Sequence, residues 1–276
     1  MVKNKPIGLA LVITTYNSSA ALRCILRSVM HQTELPDEIV VADDGSTDDT
    51  KDVIATFSKG FKGIVRHIWQ PNKGYRRSRI LNKAIMATDS EYVVTVDNDV
   101  LLHPKFVADH KAHALVGHFV SGGRCHIKEE YAVSIKEGVI GEIPGFLSSG
   151  LGRRFRSVRL PFLSRLLYWR HRHSTRQLCG SNLGFWKSDF IKVNGFEEEF
   201  VGWGSEDREF CLRLMNIGVR RRSVEFGIVQ YHLDHPVRKV EETANINHER
   251  FLATKFSNKI TATLGIDQYN TNDECQ

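Results

Sequence analysis

The sequence predicts an α/β fold: a mostly parallel central sheet with helices on both faces. Three observations carry that prediction. Short apolar runs alternate with stretches of helical periodicity through the first hundred residues, and parallel strands buried on both faces need helical crossovers between them. Three of those runs end in polar clusters, Thr14–Asn17, Asp43–Ser46 and Asp97–Asp99, where open α/β sheets bind their ligands, beyond the carboxyl ends of the strands. At 276 residues and 41% hydrophobic content, the chain is long enough to bury a core without disulfide or metal staples.

The elements follow in order. Ile7–Thr15 reads as a buried first strand rather than a signal peptide, because no small-residue cleavage site follows it. A helix through Leu22–Met30 comes next. Glu38–Ala42 is the second strand, ending in Asp43-Asp44-Gly45-Ser46, and Asp48-Asp49-Thr50 then caps a helix through Val53–Phe57. Ile64–Trp69 is a third strand. After Pro71-Asn72-Lys73-Gly74 a helix runs from about Arg77 to Ala87, and Tyr92–Val96 is a fourth strand, closing on Asp97-Asn98-Asp99. The second half is less regular. His118–Cys125 and Tyr131–Ile135 read as strands, and a compact block runs from Gln177 to Asn194. Phe196–Glu199 leads into Gly202-Trp203-Gly204. Glu206–Asn216 reads as a helix with Phe210, Cys211 and Leu214 inward and Gly218 just past its end. Val224–Tyr231 is a late strand, and a last helix lies around His248–Phe256.

The net charge of +6 is local. Residues 150–176 carry Arg153, Arg154, Arg156, Arg159, Arg165, Arg170, Arg172 and Arg176, and no acid lies between Glu142 and Asp189. Setting those eight arginines aside leaves 30 basic against 32 acidic residues. If Pro161 opens a helix, Phe162, Leu163, Leu166, Leu167 and Trp169 share a face. An arginine-rich amphipathic element suits an anionic membrane surface or an anionic acceptor. It also fits a solvated loop whose apolar residues dock on the core. No recognition helix or RNP pattern accompanies the arginines, so no nucleic acid is expected. No run is long enough to cross a bilayer. Cys24, Cys125, Cys179, Cys211 and Cys275 are scattered with no CxxC, which points to a reducing compartment and away from a cysteine zinc site.

Several residues can carry chemistry. Asp97 and Asp99 can hold a divalent cation that bridges two phosphates, with one of them free to accept from a ribose hydroxyl. No Walker A loop or GxGxxG follows the first strand, which argues against P-loop NTPases and ordinary dinucleotide dehydrogenases. Asp43-Asp44 can receive a uracil N–H or a ribose hydroxyl, and Lys73 and Arg79 can meet base or phosphate oxygens. Glu206-Asp207 opens a helix, whose amides favour an ionised carboxylate able to take a proton from an acceptor hydroxyl. Plain compensation of the helix end, with Ser205 as cap, explains the same acids. His232 and His235 can each ligate a metal. Trp203, set between glycines, can stack on a sugar ring. His67, His113 and His118 have no partner pattern and read as structural, while Trp69 and Trp186 read as core.

Taken together, these segments resemble the family 2 glycosyltransferases of the GT-A fold, a Rossmann-like architecture. The resemblance rests on LVITTYN at 11–17, EIVVADDGSTDDT at 38–50, QPNKGYRRSRILNKAI at 70–85 and TVDNDVLLHP at 95–104. CGSNLGFWKSDFIKVNGFEEEFVGWGSEDREFCLRLMNIG, residues 179–218, is similar to the acceptor-side block of galactosyltransferase-like members. The likeness spans roughly residues 7–236 and is weakest over about 120–176. It implies a nucleotide-sugar-binding half at 1–115 and an acceptor-binding half of the same domain at 116–276, with the basic insert at 150–176. By position, Thr15 and Tyr16 would line the base pocket, Asp43 would accept from the uracil N–H, and Arg79 would stand near base and phosphates. Asp97 would meet the ribose. Asp99, with His232 or His235, would hold Mn²⁺ or Mg²⁺ on the diphosphate. Asp207 would be the catalytic base, and Trp203, Gly204 and Glu206 would shape the acceptor and donor-sugar pocket. Asn98 stands where some members carry an acid.

The resemblance implies an inverting enzyme that moves a hexose or N-acetylhexosamine from a UDP-sugar to a bacterial surface-glycan hydroxyl. Lipopolysaccharide, capsule and O-antigen are such acceptors, and the basic insert points to a lipid-linked one at the inner face of the cell membrane, reached from the cytoplasm. Either the basic segment or the Trp203 loop would cover the site against water. Two rivals are a sugar nucleotidyltransferase, whose glycine-rich loop is missing from ITTYNSSA, and a non-catalytic glycan-binding protein, which would not need these acids.

Overall fold

The computed structural model describes residues 7–139, 143–167, 173–176, 178, 180–235 and 241–269. Expectations for Trp169, Arg170, Arg172, Gln177, Cys179, Pro236 and Cys275 fall outside these residues. The first half runs β1 (Leu9–Thr15), α1 (Ser19–Met30), β2 (Glu38–Asp43), α2 (Thr50–Ser58), β3 (Ile64–Trp69), α3 (Arg77–Met86), β4 (Tyr92–Asp97) and β5 (Val100–Leu102). The second continues with α4 (Phe106–His113), β6 (His118–Gly122), β7 (Cys125–Ile127), α5 (Glu129–Lys136), β8 (Leu151–Gly152), α6 (Pro161–Leu167), β9 (Leu183–Trp186) and α7 (Lys187–Lys192). It ends with α8 (Glu206–Asn216), β10 (Arg220–Val224), β11 (Gln230–Leu233) and α9 (Glu241–Ser257).

The main sheet has the order β10-β6-β9-β4-β1-β2-β3. β1 to β4 are mutually parallel, and β9 alone runs antiparallel, between β4 and β6. Both faces are covered. Leu9, Leu11 and Ile13 of β1 pack with Leu22, Ile25 and Val29 of α1, while Val12 packs with Ile80, Leu81 and Ile85 of α3. Each such fully buried side chain contributes about 2 kcal/mol. Register then aligns the strand ends, with Thr15 opposite Asp43 and Thr14 opposite Asp97. The chain leaves β1 toward β2 on one side and returns through α3 to β4 on the other, which opens a crevice at the carboxyl ends of β1 and β4.

A second sheet, β5-β11-β7-β8, stands beside the first. β5 starts directly after Asp97-Asn98-Asp99 and pairs with β11, so that His232 lies opposite Val100 and the Leu233 amide donates to the Asp99 carbonyl at 2.8 Å.

Several expectations change. Tyr131–Ile135 is helical, within α5: Glu129 and Glu130 sit in its first turn, and Ala132 and Ile135 are buried at helical spacing. His118–Cys125 divides between β6 and β7, which belong to different sheets. Val224–Tyr231 divides between β10 and β11 across a turn in which Phe226 has φ 56°. Trp69, on edge strand β3, is 50% exposed rather than core. Within the expected cap Asp48-Asp49-Thr50 of α2, the N-cap residue Asp49 makes no side-chain cap bond, and Asp48 Oδ1 accepts from the Thr50 amide at 3.1 Å. α8 ends as expected: Gly218 has φ 88°, and the Val219 and Gly218 amides donate to the Leu214 and Met215 carbonyls. Among the described residues no helix is long and apolar enough to cross a membrane.

Two buried histidines of α4 make stability depend on pH. Burial lowers His110 to about 3 and His113 to about 4. The Asn182 amide nitrogen donates to the Gly123 and Ile228 carbonyls, so its oxygen accepts from His110 Nε2–H at 3.1 Å. Both folded values lie below the ~6.5 of an unfolded chain. Between pH 6.5 and 4, therefore, the unfolded chain takes up protons that the folded chain does not, and this contribution to stability is lost as pH falls. Urea unfolding should show the advantage of wild type over His110→Gln shrinking by roughly 1 kcal/mol per pH unit in that window. A constant gap would contradict the assignment.

Candidate active site

The first cluster lies at the ends of β1 and β2. Asp43 is buried. Its Oδ1 accepts from the Ser46 amide at 2.8 Å, and its Oδ2 lies 2.9 Å from His67 Nε2. Burial presses its carboxyl upward, but the bonds from His67 and Ser46 outweigh that and hold it below the usual range. Asp44 accepts from Gln70 at 2.6 Å and from the Arg76 amide at 2.7 Å, and burial raises it. Thr15 Oγ1 accepts from Asn98 at 2.9 Å, and exposed Tyr16 accepts from Asn72 at 2.8 Å. Lys73 is exposed on the loop after β3. His67, expected to be merely structural, is therefore the direct partner of Asp43.

The second cluster is built on one arginine. Buried Arg77, the first residue of α3, reaches Asp207 Oδ1 at 2.8 Å, Asp97 Oδ1 at 3.2 Å and Glu206 Oε1 at 3.5 Å. Three carboxylates around one guanidinium leave a negative excess. Burial and the Asp207 charge push Glu206 up to about 7, and burial likewise raises Asp97. Arg79, expected beside base and phosphates, instead bonds Glu198 at 3.3 Å and lies 5.7 Å from the Tyr269 ring centre. Two residues span about 200° of helix, so Arg77 and Arg79 leave α3 on opposite sides.

Asp207 is seated by Gly180. The Thr95 hydroxyl of β4 donates to the Gly180 carbonyl at 2.9 Å, and a side-chain carbon on Gly180 would collide with the Asp207 carboxylate. Ser205, expected as a cap, has φ 70° and makes no side-chain cap bond. Gly202 and Gly204 also have positive φ, and Asn247 of α9 donates to the carbonyls of Val201, Gly202 and Trp203. That loop presents Trp203 half exposed.

The turn at Asn98-Asp99 separates the two acids: Asp97 faces Arg77, and Asp99 faces the second sheet. Asp99 Oδ2 lies 2.9 Å from His235 Nε2 and 3.4 Å from His232 Nε2. Burial would raise Asp99, yet the two histidines hold it well below the usual carboxylate range. His232 Nδ1 lies 2.8 Å from Asp234 Oδ1, and His126 Nδ1 lies 2.7 Å from the same oxygen. A carboxylate between them can accept from both Nδ1–H groups, which orients the His232 ring with Nε2 toward Asp99. Asp99, His232 and His235 offer ligand atoms within 4.8 Å of one another, and Asp99 Oδ1 is buried with no hydrogen-bond partner. One carboxylate and two imidazoles fit a divalent cation, and mixed N/O donors suit Mn²⁺ better than the all-oxygen preference of Mg²⁺. Sequence reasoning missed Arg77, Asp234 and His126. Arg77 alone left a signal, since it precedes buried Ile80, Leu81 and Ala84 at helical spacing.

Comparison with known proteins comes to the same fold. The description "Glycosyl transferase family 2" matches residues 10–158, and "N-terminal domain of galactosyltransferase" matches residues 161–236. Chondroitin synthase from Escherichia coli is 29% identical over 257 residues, covering 85% of this chain and 36% of that protein. The chain thus spans about a third of that relative's length. Among solved structures, the mannosyltransferase PcManGT from Pyrobaculum calidifontis, in complex with GDP-Man and Mn²⁺, has a TM-score of 0.62 at 17% identity, covering 92% of this chain and 64% of that one. S. aureus TarS 1–349 in complex with UDP has a TM-score of 0.62 at 17% identity, covering 95% and 68%. The expected GT-A fold is borne out.

Proposed function

This chain belongs to glycosyl transferase family 2 and is a glycosyltransferase, and we propose that it is an inverting, metal-dependent enzyme using a UDP-sugar. The sugar moved is a hexose or N-acetylhexosamine, and the acceptor is a hydroxyl of a bacterial surface glycan such as lipopolysaccharide, capsule or O-antigen. The observation that carries the reading is the adjacency of two clusters at the carboxyl end of β4: Asp97, Arg77, Glu206 and Asp207 on one side, and Asp99, His232 and His235 on the other.

On this reading residues 1–115 hold the donor and residues 116–276 the acceptor. Asp43, oriented by His67, accepts from the uracil N–H, with Thr15 and Tyr16 beside the base and Asp97 at the ribose. Asp99, His232 and His235 would hold Mn²⁺, which when bound offsets charge on the leaving diphosphate. Asp207 takes the proton of the acceptor hydroxyl as that oxygen attacks the anomeric carbon from the face opposite the nucleotide. Arg77 fixes the Asp207 carboxylate, and Lys73 lies on the loop where a phosphate would pass. Trp203, Gly204 and Glu206 shape the sugar pocket. The protein would work from the cytoplasm at the inner face of the membrane, on a lipid-linked acceptor.

A screen of UDP-, GDP- and TDP-sugars, reading released nucleotide with Mn²⁺ or Mg²⁺, tests the donor. UDP release, faster with Mn²⁺, is expected, and turnover of a GDP-sugar alone would overturn it. The seat of Asp207 gives a second test. Gly180→Ala should leave UDP affinity unchanged and lower turnover about 10²-fold, the effect of misplacing a catalytic group by roughly 1 Å. Unchanged turnover would mean that the position of Asp207 does not matter.

A further inference from the structure

Helix α6 turns part of its apolar face outward. Its buried side chain is Ser164, packed against Gly227, and the Leu160 amide just before it donates to the Phe226 carbonyl at 2.7 Å. Residues two positions to either side lie about 200° around the helix, so Phe162 and Leu166 face away from the protein, 77% and 54% exposed. Of the stripe expected to share a face, Phe162 and Leu166 thus face solvent while Leu163 and Leu167 are half-buried. Arg165 is exposed beside them, and in the preceding turn Phe155 is 71% exposed between exposed Arg153 and Arg156.

The charges on this segment are of two kinds. Arg159 is bound through two nitrogens by Asp109, at 2.7 and 2.6 Å, and anchors the segment. Arg153, Arg156 and Arg165 pair with no carboxylate among the described residues. At Arg156 the segment reaches the rim of the crevice. β9 is antiparallel to both β4 and β6, so those two strands point the same way, and Gly123 follows the end of β6 as Asn98 follows that of β4. Arg156 lies over Gly123, its Nη1 3.0 Å from where a side-chain carbon would stand.

We propose that Phe155, Phe162 and Leu166, framed by Arg153, Arg156 and Arg165, dock the enzyme on an anionic lipid bilayer. The apolar side chains enter the headgroup boundary while the guanidinium groups pair with lipid phosphates. Exposed apolar side chains together with unpaired cations, in a stretch without a single acid, match an anionic lipid surface better than a protein partner, which would bring polar groups of both signs. The assignment deepens the proposed lipid-linked acceptor and rests on that reading for its purpose: an acceptor carried on lipid would reach the crevice at this rim.

The test is co-sedimentation of the full chain, without donor or acceptor, with vesicles of phosphatidylcholine alone or containing phosphatidylglycerol, at low and high salt. Binding is expected only with phosphatidylglycerol and only at low salt. The combined variant Arg153→Gln, Arg156→Gln, Arg165→Gln should lower partitioning about 100-fold, and Phe162→Ser with Leu166→Ser about tenfold or more. Both should release UDP from donor at the wild-type rate. Equal binding to neutral vesicles, no binding to anionic ones, or wild-type binding by the Phe162→Ser, Leu166→Ser variant would each overturn the proposal. Displacement from the vesicles by a soluble anionic polysaccharide would assign the face to the acceptor and overturn it as well. Vesicle binding in a protein that turns over no UDP-sugar would remove the donor reading and leave this one standing.

Discussion

Asp207→Asn should bind UDP with near wild-type affinity and turn over about 10²–10⁴-fold more slowly, the range that a positioned general base supplies. The substitution is nearly isosteric. An asparagine oxygen still accepts from Arg77 Nη1, which lies 2.8 Å from Asp207 Oδ1, so the arginine keeps its partner and the start of α8 keeps its seat on Gly180. What disappears is the ability to accept a proton. Nucleotide affinity measured by calorimetry and kcat measured by UDP release separate the two effects, because loss of a transition-state interaction lowers kcat and kcat/KM together. Turnover within tenfold of wild type would place the base elsewhere. Glu206, pushed up to about 7 by burial and by Asp207, is the neighbouring carboxyl that would then be left to take the proton.

The strand ends were legible because burial on both faces demands continuous apolar runs, and the polar residues that interrupt them stand out. Thr15, Asp43 and Asp97 could be placed from that pattern alone, and register in the folded sheet aligns them. Arg77 was harder. The run Arg76-Arg77-Ser78-Arg79 offers three guanidiniums, and the choice depends on which face of α3 is buried. Ile80, Leu81 and Ala84 mark that face, and Arg77 precedes them on it. His67, His126 and Asp234 had no local signal: His67 reaches Asp43 through the pairing of β2 with β3, and His126 reaches Asp234 because β7 lies beside β11. A helical reading of 131–135 was available from Glu129-Glu130 and the spacing of Ala132 and Ile135. The outward face of α6 was not, since sequence shows which residues share a face and not which way that face points.

Asp99→Ala should remove Mn²⁺-dependent turnover by roughly 10³-fold or more, since charge stabilisation by a bound cation amounts to several kcal/mol and each 1.36 kcal/mol is tenfold. Asp99 is the single carboxylate of the three-residue set, and its Oδ1 is buried without a partner. Its removal leaves two imidazoles and no negative charge to hold the ion. Asp234→Asn provides the graded control. Asp234 touches His232 through Nδ1 and is not among the three proposed ligands, so its loss should weaken Mn²⁺ about 10–100-fold, the usual effect of removing the group that orients a ligating histidine. The two variants then separate in a Mn²⁺ titration followed by electron paramagnetic resonance and by UDP release. Raising Mn²⁺ should restore Asp234→Asn and leave Asp99→Ala inactive. Rescue of both variants would reduce Asp99 to an accessory role, and near-normal turnover by Asp99→Ala at low Mn²⁺ would remove the metal from this cluster altogether.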